Sequence, residues 1–115
     1  MHELSIAMSI LDILESACRD KGYSRVEAVR GKVGKATCVM KDSLLFSFDC
    51  SKKGTVAEGA RLEIDEIPLG VSCRDCHSES AVDEAYVLAC PRCGGKSFQV
   101  TSGHELEISE LEVES

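Results

Sequence analysis

The sequence has 115 residues, 43% of them hydrophobic, and a net charge of −7 at neutral pH. This length allows one domain, or one domain with a small metal-bound subdomain, and the acidic charge argues against a nucleic-acid partner, whose phosphates require clustered Lys and Arg. No apolar run reaches the length of a membrane span, no signal peptide is visible, and the odd number of cysteines, seven, fits a reducing environment, so we expect a cytoplasmic protein without a membrane partner.

The first predicted element is an amphipathic helix over residues 4–21. Its apolar residues recur at spacings of three and four and its polar residues form a narrow stripe, so we expect most of the helix to be covered. Arg19 and Lys21 suit the negative C-terminal end of a helix, and Gly22 is a natural end point.

A strand and a second helix follow along the chain. The β-branched content favours a strand over residues 23–33, which Gly34 would end. A helix is predicted over residues 43–53, with Asp42 or Ser43 as its capping residue. The apolar run in this segment also suits a strand, and the pattern leaves that alternative open.

Further strands are predicted in the second half of the chain. Residues 60–67 alternate between apolar and charged side chains, and Pro68 ends this strand. A short strand lies around Phe98, and the apolar residues of the last strand change parity between Ile108 and Leu111. Because side chains in a strand alternate with period two, this change predicts a β-bulge or bend between them.

Two Cys-x-x-Cys pairs separated by thirteen residues carry the strongest chemical signal: Cys73 with Cys76, and Cys90 with Cys93. Two such turns deliver four thiolates to one tetrahedral ion, and Gly94 suits a left-handed turn after the last cysteine. Zinc is the usual ion for four thiolates and iron is the alternative; two disulfides or four unrelated thiols are the alternatives without a metal. Four protein ligands leave no open position, so the site predicts a structural role.

The cysteine-rich segment looks inserted between two strands of an α+β domain. We expect a small three-stranded sheet with two helices, built from residues 1–70 and 97–115, and an inserted zinc-ribbon-like domain with a four-cysteine site over residues 71–96. Since the inserted segment has few apolar residues, bound zinc must supply most of its folding energy.

The other cysteines and two histidines are not assigned to a site. Cys18, Cys38 and Cys50 are interpreted as small apolar residues of the core. His77 and His104 are interpreted as exposed loop residues.

The first three residues, Met1, His2 and Glu3, form a ready chelator. The α-amine, the backbone nitrogen of His2 and its imidazole can close fused rings around one ion, and the amide or the carboxylate of Glu3 offers a fourth donor. A nitrogen-rich, roughly planar set suits Ni(II) or Cu(II). On these residues alone, a frayed terminus with an accidental histidine stays an open alternative.

The chain carries, in order, the segments M-H-E-L-S-I-A, G-T-V-A-E-G-A-R-L-E-I, C-R-D-C with C-P-R-C-G-G, and H-E-L-E-I-S-E-L-E-V-E. Together these segments resemble the HypA/HybF family of hydrogenase-maturation nickel chaperones. The resemblance implies a nickel-binding α/β domain of three strands and two helices, with a zinc domain inserted before the last strand. It also implies that nickel passes to the large subunit of [NiFe]-hydrogenase, with a HypB-type GTPase as partner.

The resemblance also implies the metal ligands, with nickel held by Met1, His2 and Glu3, and Zn(II) held by Cys73, Cys76, Cys90 and Cys93. Some members of the family add an acidic nickel ligand after the first strand, and Asp42 is the nearest candidate here. The frequent Gly-Glu of the family reads Gly34-Lys35 in this chain. The oligomeric state, monomer or homodimer, is left open.

The sequence leaves three classes of function open. The leading one is binding and delivery of nickel without an enzymatic centre, because the sequence shows no nucleophile–base pair and no phosphate loop. The second is a zinc-ribbon module of nucleic-acid machinery, which should carry a basic face with aromatic residues. The third is a rubredoxin-like electron carrier with iron on the four thiolates, which the colour of the protein would reveal.

Overall fold

The computed structural model describes residues 3–114. In chain order the elements are α1 (Glu3–Lys21), β1 (Arg25–Gly34), a 3-10 turn (Lys35–Thr37), α2 (Lys41–Ser51), β2 (Arg61–Ile67), β3 (Leu69–Cys73), β4 (Glu79–Val82), β5 (Phe98–Ser102) and β6 (Leu106–Glu114). The strands form two three-stranded sheets, ordered β2-β1-β6 and β4-β3-β5. Within the described residues, neither helix is long and apolar enough to cross a lipid bilayer.

The chain divides into two compact units. The first unit comprises the chain up to Gly31, the segment Val39–Asp65 and the chain from Glu107 onward, and the second comprises Lys32–Cys38 and Glu66–Leu106. The segment 71–96 lies within the second unit. The boundaries predicted for an inserted, separately folding domain stay a prediction.

The first unit has an aliphatic core in which α1 packs against α2. Helix α1 buries six side chains: Ile6, Ala7, Ile10, Leu11, Leu14 and Cys18. Helix α2 buries Leu44 and Phe48, and Val26 of β1 is also fully covered. Burial of a large side chain such as Phe48 stabilises the fold by roughly 1.5–3 kcal/mol.

Helix α1 confirms the predicted helix and its end before Gly22, which adopts a left-handed conformation with φ 76°. The expectation that most of this helix is covered is wrong. Leu4, Met8 and Ile13 are each more than half exposed. The apolar stripe of α1 is wider than the surface against which the helix packs. The apolar residues at the edges of the stripe therefore remain exposed to solvent.

Helix α2 spans Lys41–Ser51, so the prediction of a helix is confirmed and the strand alternative is wrong. The helix begins before the predicted capping residues Asp42 and Ser43. Its N-cap residue is Met40, and in the described chain no side chain caps it there. The burial of Leu44 and Phe48 decides where this helix begins, because tertiary packing outweighs a cap worth about 1 kcal/mol.

The second unit is built on an antiparallel sheet with β3 at its centre. Leu69 pairs with Val82 of β4, and Cys73 pairs with Phe98 of β5. The sequence predicts that the preceding strand ends at Pro68 and that the metal-binding segment begins at residue 71, whereas a further strand, β3, runs from Leu69 to the first metal-site cysteine. Leu69 and Val71 are each only 2% exposed, so the unit has more apolar core than the sequence suggests.

Strand β6 shows the predicted change of parity. Ile108, Leu111 and Val113 are its half-buried residues, and the phase of burial shifts between the first two of them. Across the sheet, Arg30 of β1 forms ion pairs with Glu63 of β2 at 3.5 Å and with Glu110 of β6 at 3.0 Å. These acidic neighbours, first of all Glu63, raise the pKa of Arg30 and tie the three strands together on their solvent face.

Candidate metal centre

The four paired cysteines lie on two turns of the same construction. In the first turn the N–H of Cys73 donates to the carbonyl oxygen of Ser78 at 3.0 Å. In the second, the N–H of Cys90 donates to the carbonyl oxygen of Gly95 at 2.8 Å. Each cysteine pair is followed by a residue with positive φ, which is His77 (60°) in the first turn and Gly94 (75°) in the second. Gly94 therefore adopts the left-handed turn that the sequence predicts.

The sulfur atoms converge on one point. All four Sγ atoms lie within 4.8 Å of one another. Cys73 Sγ is 3.6 Å from Cys93 Sγ, and Cys76 Sγ is 3.8 Å from Cys90 Sγ. A tetrahedral zinc ion with Zn–S bonds of ~2.3 Å separates its sulfur ligands by about 3.8 Å, whereas a disulfide joins them at about 2.05 Å. The donor set therefore fits one ion, and the sulfur separations are too long for disulfide bonds.

Backbone N–H groups face the sulfurs and stabilise their ionised form. Such donors, each at 3.4 Å, come from Asp75 to Cys73, from Arg92 to Cys90, and from Gly95 to Cys93. The N–H groups of Cys93 and Arg92 lower the pKa of the Cys90 thiol to about 6. A thiolate is the form that binds zinc, so the turns prepare this ligand for the metal.

The neighbouring sulfurs have the opposite effect on Cys93. Although the N–H of Gly95 lowers its pKa, the sulfurs of Cys73, Cys76 and Cys90 raise it to about 12. Four thiolates this close repel one another, so a cation is needed to keep all of them ionised together.

Burial divides the four ligands into two kinds. Cys73 and Cys90 are each 3% exposed and belong to the core of the second unit. Cys76 and Cys93 are exposed. With four protein ligands and two of them in the core, the site has the construction of a structural metal centre.

The other cysteines differ from the prediction. Cys18 is one of the buried residues of α1, as expected. Cys38 and Cys50 are exposed, so their interpretation as core residues is wrong. Cys50 lies on the solvent face of α2, and Cys38 has a left-handed conformation (φ 61°) at the end of the 3-10 turn. A small apolar side chain such as that of Cys38 or Cys50 is not buried for that reason alone. Its position within the fold decides whether it is covered.

The predicted nickel ligands Met1 and His2 lie outside the described residues. Glu3 begins α1, and its Oε2 atom accepts a hydrogen bond from the backbone N–H of Met40 at 3.1 Å. Asp42 is exposed in the first turn of α2. The structure thus anchors the start of α1 to the residue that precedes α2.

Lys35 occupies the position where the family resemblance would place an acidic residue. Its Nζ atom lies 3.3 Å from Asp83 and 3.7 Å from Glu66, both in the second unit. The hydrogen bond with Asp83 is the main cause of a raised pKa of Lys35. This residue is a cation engaged with carboxylates and cannot serve as a nickel ligand.

Comparison with known proteins identifies the family of this chain. The family model described as "Hydrogenase/urease nickel incorporation, metallochaperone, hypA" matches residues 1–113. The chain belongs to the HypA family. This is a family of metallochaperones for hydrogenase maturation, and its partners are accordingly hydrogenase-related. The resemblance drawn from the sequence is confirmed.

Curated relatives support the assignment over nearly the whole chain. The chain is 43% identical to the hydrogenase maturation factor HypA of Roseiflexus sp. (strain RS-1) over 114 residues, which cover 99% of this chain and 93% of the relative. It is 44% identical to the hydrogenase maturation factor HypA of Azotobacter chroococcum mcd 1, with coverage of 99% and 100%.

Solved structures share the fold. The solution structure of the Ni metallochaperone HypA from Helicobacter pylori matches with a TM-score of 0.69 at 22% identity, and the match covers 100% of this chain and 99% of that chain. The HypA fold confirms the predicted class, an α+β protein with two helices, small three-stranded sheets and a four-cysteine cluster.

Proposed function

We propose that this protein binds Ni(II) at its N-terminus and delivers it to the large subunit of [NiFe]-hydrogenase in the cytoplasm, with a HypB-type GTPase as partner. The observation that carries the proposal is the family match over residues 1–113, which includes the Met1-His2-Glu3 segment and both cysteine pairs. The Helicobacter pylori relative with the same fold is itself a Ni metallochaperone.

The chemistry of the first residues suits nickel cargo. The amine of Met1, the backbone nitrogen of His2 and its imidazole supply three nitrogen donors to Ni(II). Helix α1 begins at Glu3, and the first four N–H groups of a helix have no acceptor within it. If nickel binds there, the backbone nitrogen of Glu3 gives up its proton to solvent as the Ni–N bond forms.

The carboxylate of Glu3 has a different role in this proposal. Its Oε2 atom accepts the N–H of Met40, which holds the side chain against the start of α2. We therefore assign the fourth nickel donor to the backbone nitrogen of Glu3 and an orienting role to its carboxylate. Nitrogen donors on a chain terminus leave nickel accessible, as transfer to another protein requires.

Zinc is the ion that we assign to the four cysteines. Its tetrahedral preference agrees with the sulfur distances of 3.6 and 3.8 Å, and its role is to join the two cysteine turns within the second unit. Nickel as transferable cargo and zinc as resident ion thus occupy separate sites. A colourless purified protein with one zinc per chain is expected, and a coloured iron site would contradict this assignment.

Nickel titration of three proteins tests the terminal site. The native chain should bind nickel, whereas a chain with one residue added before Met1 should bind weakly, since its amine donor becomes an amide. His2→Ala should also bind weakly, because the imidazole is lost. Zinc content, measured in parallel, should be the same in all three. Undiminished nickel affinity in both altered proteins would place the site elsewhere, and the exposed His77, His104, Cys38 and Cys50 would be the next candidates.

The partners are tested by recovery from the native host with and without nickel. Under this proposal the protein captures a GTPase of the HypB kind and the large subunit of [NiFe]-hydrogenase. Tight nucleic-acid binding that weakens steeply with salt, without recovery of either partner, would favour a zinc-ribbon module of nucleic-acid machinery instead.

A further inference from the structure

The two exposed cysteines of the metal centre differ in one contact. Ser78 Oγ lies 2.9 Å from the Sγ atom of Cys76. Cys93, the equivalent residue of the second turn, receives the N–H of Gly95 at 3.4 Å, and no hydroxyl group of the described residues contacts its sulfur. The two turns are otherwise built alike, so this hydroxyl distinguishes one solvent-facing sulfur from the other.

The chemistry of the centre decides which atom donates. When zinc is bound, Cys76 is a thiolate and has no proton to give. Ser78 must therefore donate its O–H to the sulfur, and the interaction is a charge-assisted hydrogen bond. Ser78 Oγ is also 3.9 Å from Cys90 Sγ, but its single proton serves the closer sulfur.

The second turn does not carry the same group. The position equivalent to Ser78 is Gly95, as the matching N–H···O contacts of Cys73 and Cys90 show. A Cβ atom on Gly95 would lie 2.6 Å from Oδ2 of Asp75, so a side chain there requires that carboxylate to move. The asymmetry between the turns thus follows from glycine at this position of the second turn.

We propose that the Ser78 hydroxyl is a positioning group of the zinc centre that lowers the reactivity of the Cys76 thiolate, so that Cys93 is the zinc ligand that electrophiles modify first. A donated hydrogen bond draws charge from the sulfur lone pair and holds the side chain in its ligating orientation. Cys73 and Cys90 are protected by burial, which leaves the choice between the two exposed sulfurs to this one hydroxyl. The inference rests on zinc being the ion at the four cysteines.

Limited reaction with iodoacetamide tests the proposal on the full-length, zinc-loaded protein. In this reaction the sulfur forms a thioether bond to the reagent, iodide leaves, and the modified cysteine is lost as a thiolate ligand. Peptide mass spectrometry then gives separate rates for Cys76 and Cys93. The native protein should be labelled faster at Cys93. In Ser78→Ala the rate at Cys76 should rise by about five- to tenfold, which corresponds to the loss of one hydrogen bond, and the rate at Cys93 should stay the same.

Two further variants separate positioning from general loosening of the fold. Ser78→Thr keeps a hydroxyl and should restore the native labelling ratio. Ser80→Ala is the matched control, since the Ser80 hydroxyl, two residues away, is buried and has no hydrogen-bond partner among the described residues. Its loss should leave both rates unchanged, whereas a loosened unit would raise them together.

The outcomes distinguish this inference from the assignment of zinc. Absence of zinc from the native protein would overturn both. Zinc retained, with equal labelling of Cys76 and Cys93 in the native protein, or an unchanged ratio in Ser78→Ala, would overturn the role of the hydroxyl alone. If Ser78→Ala does not retain zinc, the ratio in the native protein decides, and equal rates there refute the proposal.

Discussion

The two units of this protein are stabilised by different means. The first unit buries large aliphatic and aromatic side chains, among them Leu14, Leu44 and Phe48. In the second unit Leu69 and Val71 are the fully covered large side chains, and Val33, Cys73 and Cys90 are buried as well. The second unit thus has a small core beside four converging thiolates, and a metal ion bound there would supply a cross-link that apolar burial does not.

The comparison matters for the proposed function, in which nickel as cargo and zinc as resident ion need different sites. Cargo must leave, so its ligands belong on a chain terminus with few other contacts. A resident ion must stay, so its ligands belong on short turns whose backbone N–H groups face the sulfurs. Under the proposed function, the difference between the units corresponds to the difference between delivery and support.

The largest effect is expected from removing a buried zinc ligand. Cys73→Ala or Cys90→Ala should abolish protection from hydrogen exchange over residues 71–97, while α1 and its sheet stay protected. Structural zinc contributes roughly 10–16 kcal/mol to folding in small zinc domains, more than the apolar core of this unit can replace. Hydrogen exchange resolved by segment measures both units at once. Loss of protection over the whole chain would show that the units do not fold separately.

A smaller effect, confined to the first unit, is expected from its core. Phe48→Ala should lower the free energy of unfolding of that unit by about 3–5 kcal/mol, because Phe48 is fully buried. Phe46, on the same helix and 71% exposed, is the matched control, and Phe46→Ala should change stability by less than about 0.5 kcal/mol. Denaturant unfolding with zinc content as a second readout is the measurement. Zinc loss in Phe48→Ala would contradict the independence of the two units.

The mildest test changes only pH. Nickel affinity should fall by at least about tenfold for each pH unit below the pKa values of its donors, ~6.5 for an imidazole and ~7.7–8.0 for an α-amine, since protons compete with the metal. These donors bind nickel in deprotonated form, so binding is complete above these values and lost as pH falls through them. Zinc should remain bound over the same range, because the cation itself keeps the four converging thiolates ionised. Release of zinc before nickel in a pH titration would reverse the assignment of cargo and resident ion.

The sequence by itself determined the features that depend on local spacing. The two Cys-x-x-Cys pairs indicated a tetrahedral site because the ligands of each turn are three residues apart, and the structure brings all four sulfurs together. The end of α1 at Gly22 and the change of parity in β6 are also properties of neighbouring residues. The resemblance to the HypA family rested on such short motifs and is confirmed.

Only the tertiary structure decided what depends on residues distant in sequence. Helix α2 begins at Lys41 because of what it packs against, and Cys50 is exposed because it lies on a different face of that helix from the buried Leu44 and Phe48. The approach of Ser78 Oγ to Cys76 Sγ follows from how the first turn closes, and Gly95, at the equivalent position of the second turn, has no side chain that could make such a contact. Spacing along the chain specifies which side chains can share one turn or one face, but packing between elements specifies which of them meet.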